Sequence, residues 1–152
     1  MRAPIGGLGL IVMLGVSLAG CQTAPKQQVP LVAPPVVCND INFPIYFEPG
    51  SAGVTREAAQ LISSARDRAQ GCRVTGIVVV GLADAKGTRG ANLELSKARA
   101  DAVSRFLAAS GFNNVEFREG AAGDSGAATS SGANKPLRRR ADVSIHLAAP
   151  PS

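Results

Sequence analysis

Two charged residues in this sequence stand where charge is costly. Asp84 follows the β-branched run Ile77-Val78-Val79-Val80 with only Gly81-Leu82-Ala83 between. That places it just past the carboxyl end of a strand, where α/β sheets commonly bind ligands. Arg99 lies in a helical stretch whose apolar residues are Leu95, Ala98, Ala102, Val103, Phe106 and Leu107. At about 100° per residue it falls near the middle of that stripe rather than on its polar flank. A guanidinium in such a place must snorkel out, pair with an acid or wait for an anionic ligand. With the helix packed on the sheet, Asp84 and Arg99 converge near one rim. Two readings stay open for them. One is a structural salt bridge. The other is a zwitterion site, in which Asp84 takes an ammonium and Arg99 a carboxylate through two parallel hydrogen bonds.

Little else among the 152 residues offers chemistry. One His and three Cys leave scant material for a His-based metal site or a nucleophile with its base. No motif calls for a cofactor or a metal, and the expectation is a protein that is not an enzyme. Aromatic residues are 4% and Trp is absent, which argues against a stacking surface for nucleic acid. The net charge of +5 points weakly to an anionic partner such as lipid headgroups or cell-wall polymer. With 45% hydrophobic and 18% charged residues, the chain is neither wholly disordered nor collagen-like.

The elements that must hold these residues follow from periodicity. Ile41 to Phe47 alternates as a strand, and Pro44 assigns it to a sheet edge. Glu48-Pro49-Gly50-Ser51 is turn chemistry. Thr55 caps a helix whose face is Ala58, Leu61, Ile62, Ala65 and Ala69, and Gly71 ends it. Val74 to Leu82 reads as a buried central strand. A second helix runs from about Gly90 to Ser110 and stops at Gly111. Val115 and Phe117 mark a short strand, and Ala141, Val143, Ile145 and Leu147 alternate along a last one. The expected fold is α+β, a two-layer β-α-β-α-β-β sandwich with a mixed sheet and both helices on one face. Between the last two strands, residues 120–135 are Gly, Ala and Ser without periodicity, and slack is the favoured reading over a mobile functional loop. Arg138 reads as part of a solvated basic cluster, and His146 as a surface residue.

The N-terminus suggests a compartment. Arg2 precedes the apolar run Leu8 to Val16, which is too short for a comfortable membrane span. It closes on Leu18-Ala19-Gly20-Cys21, which resembles a bacterial lipobox. That resemblance implies cleavage before Cys21 and lipidation of its thiol and new amino group. Gln22 in place of an Asp favours the outer membrane, with the domain in the periplasm. Residues 21–37 then form a Pro-rich linker carrying Pro25, Pro30, Pro34 and Pro35. In polyproline geometry fifteen such residues reach about 45 Å from the membrane. The folded domain is expected over residues 38–148, with a short tail at 149–152.

Cys38 precedes the first strand and Cys72 lies between the first helix and the second strand, points that fall at one end of the sheet. In an oxidising compartment they can form a disulfide. Two unlinked buried thiols are the open alternative.

The pattern Asp84-x-x-Gly87-x-x-x-x-Asn92-x-x-Leu95-Ser96-x-x-Arg99-Ala100-x-x-Val103 resembles the central motif of OmpA-like peptidoglycan-binding domains. The resemblance covers about residues 41–147, with Ile45-Tyr46-Phe47 before it and Arg139-Arg140 after it. It implies noncovalent binding of the peptidoglycan stem peptide through its diaminopimelate. Asp84 would hold the diaminopimelate ammonium and Arg99 its carboxylate. Asn92 and the Gly87 turn would shape the pocket, and Arg139 would support it. The sequence departs from the pattern at Leu82, at Ala83 where Thr is usual, at Arg138 where Asn is usual, and at Ala141.

The leading reading is therefore an outer-membrane lipoprotein that grips the cell wall without catalysis. A second keeps the fold with a degraded wall site and docks onto other envelope proteins. A third, an enzyme acting on peptidoglycan, lacks its constellation of residues.

Overall fold

A computed structural model describes residues 36–151. The expectations for Met1–Gly20, for Cys21 and for most of the Pro-rich linker lie outside those residues. The elements are β1 (Ile41–Tyr46), α1 (Arg56–Arg68), β2 (Arg73–Gly81), α2 (Arg89–Ala109), β3 (Phe117–Ala121), a short 3-10 turn (Pro136–Arg138) and β4 (Arg140–Ala148). This is the expected order, with the 3-10 turn added.

The sheet runs β1-β4-β2-β3. β4 is antiparallel to both β1 and β2, and β3 is parallel to β2. β1 and β2 therefore point the same way with β4 inserted between them. β1 is an edge strand, so Pro44 removes no ladder hydrogen bond from the sheet interior. Both helices pack on one face. Ile45, Ile77, Val79, Val143 and Ile145 from the sheet meet Ile62 and Ala65 of α1 and Val103 and Leu107 of α2.

Local chemistry sets the helix ends. The Thr55 and Thr88 hydroxyls accept from the N–H groups of Ala58 and Ala91 at the starts of α1 and α2. Gly71 and Gly111 follow the helices with positive φ, a conformation that carries a steric cost for side-chain-bearing residues. Cys38 and Cys72 are disulfide-bonded, with Cα atoms 5.7 Å apart. The parallel course of β1 and β2 brings the residues before them to the same end of the sheet.

Three expectations are corrected. β2 is internal in the sheet but buried on one face only; Ile77 and Val79 are enclosed, whereas Val78 and Val80 are half-exposed because no helix covers their side. Leu61 is 46% exposed, since the face of α1 that packs is narrowed to Ala58, Ile62 and Ala65. Residues 120–135 are not slack. Ala127 is buried, its N–H bonds the Asp124 carbonyl, and its carbonyl accepts from the N–H of Lys135 at 2.7 Å.

Candidate functional site

The buried face of α2 is more polar than its apolar count suggests. Asn92, Ser96, Arg99 and Ser104 are buried beside Ala100, Val103 and Leu107, while Ala98 is exposed. Gly81 accounts for part of this. Without a side chain there, the end of β2 comes close to α2 at Ser96 and Ala100. The Ser96 hydroxyl donates to the Leu93 carbonyl at 2.8 Å and accepts the Gly123 N–H at 3.0 Å, tying α2 to the loop after β3.

Arg99 is fully buried, at 0% exposure. It neither snorkels nor forms an ion pair with Asp84. Its Nε donates to the Ser51 carbonyl at 2.9 Å, Nη1 to the Leu82 carbonyl at 2.7 Å and Nη2 to the Glu48 carbonyl at 3.4 Å. The Phe47 ring lies 5.0 Å from the guanidinium carbon, a cation–π contact. Burial pushes the pKa of Arg99 down, the Asp84 charge pulls it back up, and Arg139 adds a smaller downward push. A guanidinium has five N–H donors. Three have partners here, and the third bond is long.

Asp84 is 6% exposed and equally under-committed. Its Oδ2 lies 3.4 Å from Arg139 Nη1 and 3.4 Å from Asn134 Nδ2, both beyond the usual hydrogen-bond range. The structure thus brings Asp84 and Arg139 together, with Arg99 linked through Leu82 two residues earlier in the chain. The Arg139 Nε is buried without a partner.

Asn92 and Gly87 stand one layer away from that carboxylate. Asn92 donates from Nδ2 to Asp124 Oδ2 at 3.1 Å. Gly87 has φ +97, and a Cβ there would sit 3.6 Å from Asn92 Oδ1. Its role is to turn the chain from Asp84 into α2 in a conformation that disfavours any side chain.

Sequence reasoning missed Asn134 and Asp124. Asn134 bridges the site, its Oδ1 accepting the Ala85 N–H at 2.8 Å while Nδ2 faces Asp84. Asp124 is the lone carboxylate of residues 120–135, a signal that could have marked it. Arg138 is not a solvated cation either; it is half-buried and its Nη2 donates to the Ser125 carbonyl, clamping the loop. The backbone acceptors from Glu48, Ser51 and Leu82 carry no side-chain signal at all.

Chemically, the rim offers a buried carboxylate and a buried guanidinium, each with hydrogen-bonding capacity to spare. His146 lies elsewhere, paired with Asp40 at 2.8 Å.

The model of the OmpA family matches residues 46–141, a span that takes in every site residue above. No curated protein sequence matches the chain. Among solved structures, the chain is similar to the OmpA-like domain of FopA1 from Francisella tularensis subsp. tularensis SCHU S4. The TM-score is 0.56 at 18% identity, covering 72% of this chain and 76% of that one. It is similar to the peptidoglycan-associated lipoprotein from Burkholderia pseudomallei, with TM-score 0.52 at 23% identity over 69% and 89% of the two chains. The periplasmic domain of Helicobacter pylori MotB gives TM-score 0.53 at 20% identity over 74% and 84%. At these identities the likeness is one of fold.

Proposed function

The chain belongs to the OmpA family, and from that premise we propose that it is a lipid-anchored outer-membrane protein that grips peptidoglycan noncovalently through the diaminopimelate of the stem peptide. In this reading residues 1–20 are removed as a signal and Cys21 carries the lipid. Residues 21–37 tether the domain, residues 38–148 hold the wall from the periplasmic side, and 149–152 are a tail. The domain binds and does not catalyse.

The observation that carries the reading is the pairing of two unfinished ionic groups. Asp84 has only 3.4 Å contacts, and Arg99 has three partnered N–H groups of its five. A diaminopimelate end carries an ammonium and a carboxylate on one carbon, so it completes both. The ammonium gives Asp84 a close partner beside its long contacts. The carboxylate reaches Arg99 by displacing its weakest bond, the 3.4 Å contact to the Glu48 carbonyl. Arg139 and Asn134 steady Asp84, and Gly87 and Asn92 fix the chain between it and α2.

Two observations favour a second reading, a scaffold protein with a degraded wall site that docks onto envelope partners. Arg99 has no exposed surface, and Ala83 supplies no hydroxyl beside Asp84. Co-sedimentation of the purified full chain, in detergent, with purified diaminopimelate-type peptidoglycan decides between them. Pelleting that Asp84→Asn abolishes supports the wall reading. A folded wild type that stays in the supernatant hands the fold to the scaffold reading.

A further inference from the structure

Beside Asp84 the surface opens into a groove of about 640 Å³. Arg89 and Leu93, from the first turns of α2, form one side; the loop 121–128 forms the other; Ala85 closes the end toward Asp84. Ala85, which lines the groove, follows Asp84 directly in the chain, and Asn134 ties the two, accepting the Ala85 N–H with one amide atom and facing Asp84 with the other.

The loop wall of the groove is held in place rather than draped. Gly123 is bonded to Ser96, Asp124 to Asn92, the Ser125 carbonyl to Arg138, and Ala127 to Lys135. Ala and Gly line most of it, leaving room for a ligand backbone to approach closely. Leu93, 39% exposed, is an apolar surface within it. Arg89 is an exposed cation at the rim that makes no ion pair or side-chain hydrogen bond among the described residues. The first turn of α2 contains no acid to offset it. The acid on the opposite wall, Asp124, already accepts from Asn92.

We propose that this groove is a second subsite for the stem peptide, in which Arg89 takes the free carboxylate of the γ-linked glutamate that precedes diaminopimelate, and Leu93 packs against the adjoining alanine. The inference rests on the wall-binding reading above and specifies which part of the ligand lies beyond the diamino acid. Because Ala85 lines the groove and adjoins Asp84, a peptide held at Asp84 has the groove as its neighbouring surface. On that side of diaminopimelate the neighbour is joined through its side-chain carboxyl, so its main-chain carboxylate is free in every stem. On the other side only alanines follow, and their one carboxylate is consumed in every stem that donates a cross-link. An unpaired cation beside an apolar, small-walled channel matches the first arrangement.

The test is calorimetric titration of the purified full chain with the soluble tripeptide L-Ala-γ-D-Glu-diaminopimelate and with its analogue amidated on that glutamate carboxylate. Wild type is expected to prefer the free carboxylate about three- to fivefold, the range of an exposed ion pair. Arg89→Gln is expected to bind both peptides as wild type binds the amide. Equal binding of both by wild type, or a preference that survives in Arg89→Gln, overturns the subsite while leaving diaminopimelate binding intact. A tetrapeptide whose C-terminal amidation weakens binding in wild type but not in Arg89→Gln assigns Arg89 to the other end, and also overturns it. A wild type that binds neither tripeptide removes the wall reading and this one together.

Discussion

A Cβ on Gly81 would lie 1.9 Å from the Ser96 carbonyl oxygen and 2.8 Å from its carbonyl carbon. Both atoms are backbone, so no side-chain rotation can make room. Gly81 is also the last residue of β2 and bonds onward through its carbonyl to the N–H of Ala122. The close approach therefore sets the spacing of three parts at once: the strand before Asp84, the helix bearing Arg99 and the loop bearing Asp124. Gly81→Ala is expected to destabilise the domain by about 3 kcal/mol or more, at the upper end of overpacking costs. Ser96→Ala, which leaves the Gly123 N–H without its acceptor, should cost about 1–2 kcal/mol. Urea unfolding measures both. A Gly81→Ala protein as stable as wild type would mean that α2 can lift from the sheet freely.

Asp84 and Arg99 should separate in stability although both belong to the proposed site. Removing the Arg99 side chain strips partners from the Glu48, Ser51 and Leu82 carbonyls and leaves a cavity against Phe47. Arg99→Ala is expected to lose about 3 kcal/mol or more. Asp84→Asn preserves shape but loses its 3.4 Å contacts and the charge that offsets the buried Arg99, so its cost should be about 1–2 kcal/mol, below that of Arg99→Ala. Loss of binding in Asp84→Asn is thus the diagnostic result, whereas the same loss in Arg99→Ala is mixed with unfolding. Chemical denaturation of the two variants at neutral pH settles the order, and a reversed order would mean that Arg99 is held by packing elsewhere.

The arginine was legible because a charge interrupting an apolar stripe is visible at helical spacing, and the edge position of β1 was legible in Pro44. What surrounds them was not. Arg99 is satisfied by main-chain carbonyls, which every residue possesses and no sequence pattern marks. Ser96 lies on the buried face where Gly81 brings the sheet close, and Asn92 lies there with its bond to Asp124, so polarity alone placed that face only in part. Residues 120–135 look structureless because their order comes from backbone hydrogen bonds and from two side chains, Asn134 and Asp124, whose partners are distant in the chain. Leu61 fits the helical period and yet is exposed, since periodicity gives a direction and not the width of the surface that covers it.

The Cys38–Cys72 bond closes a loop of sequence separation 34 around β1 and α1. In the chain-entropy account a loop of that length contributes about 3–4 kcal/mol by restricting the unfolded chain. Reduction, or a Cys38→Ser/Cys72→Ser double variant, should lower Tm by on the order of 10 °C for a domain of this size. Thermal melts with and without reductant test it. The site lies at the other end of β2, so a reduced protein that is still folded should bind as before. An unchanged Tm would show that the bond is not formed or that strain offsets it.

Asp40 ties the start of the domain to β4. Its Oδ1 accepts the Leu147 N–H at 2.9 Å, and its Oδ2 lies 2.8 Å from His146 Nδ1. The Leu147 hydrogen bond first, then the His146 hydrogen bond and charge, hold its carboxyl below the ordinary value of 3.8. Below 3.8 the unfolded chain takes up this proton before the folded one does. The stabilisation is therefore complete above that pH and is lost as pH falls through the lower, folded-state value. Nearby, Glu116 and Arg118 share a hollow with His146 but pair with each other at 3.0 Å. Asp40→Asn should melt below wild type at about pH 6, and the gap should narrow as pH falls below the ordinary carboxylate value. A gap that persists or widens on acidification would show that Asp40 acts through its shape alone and not through its charge.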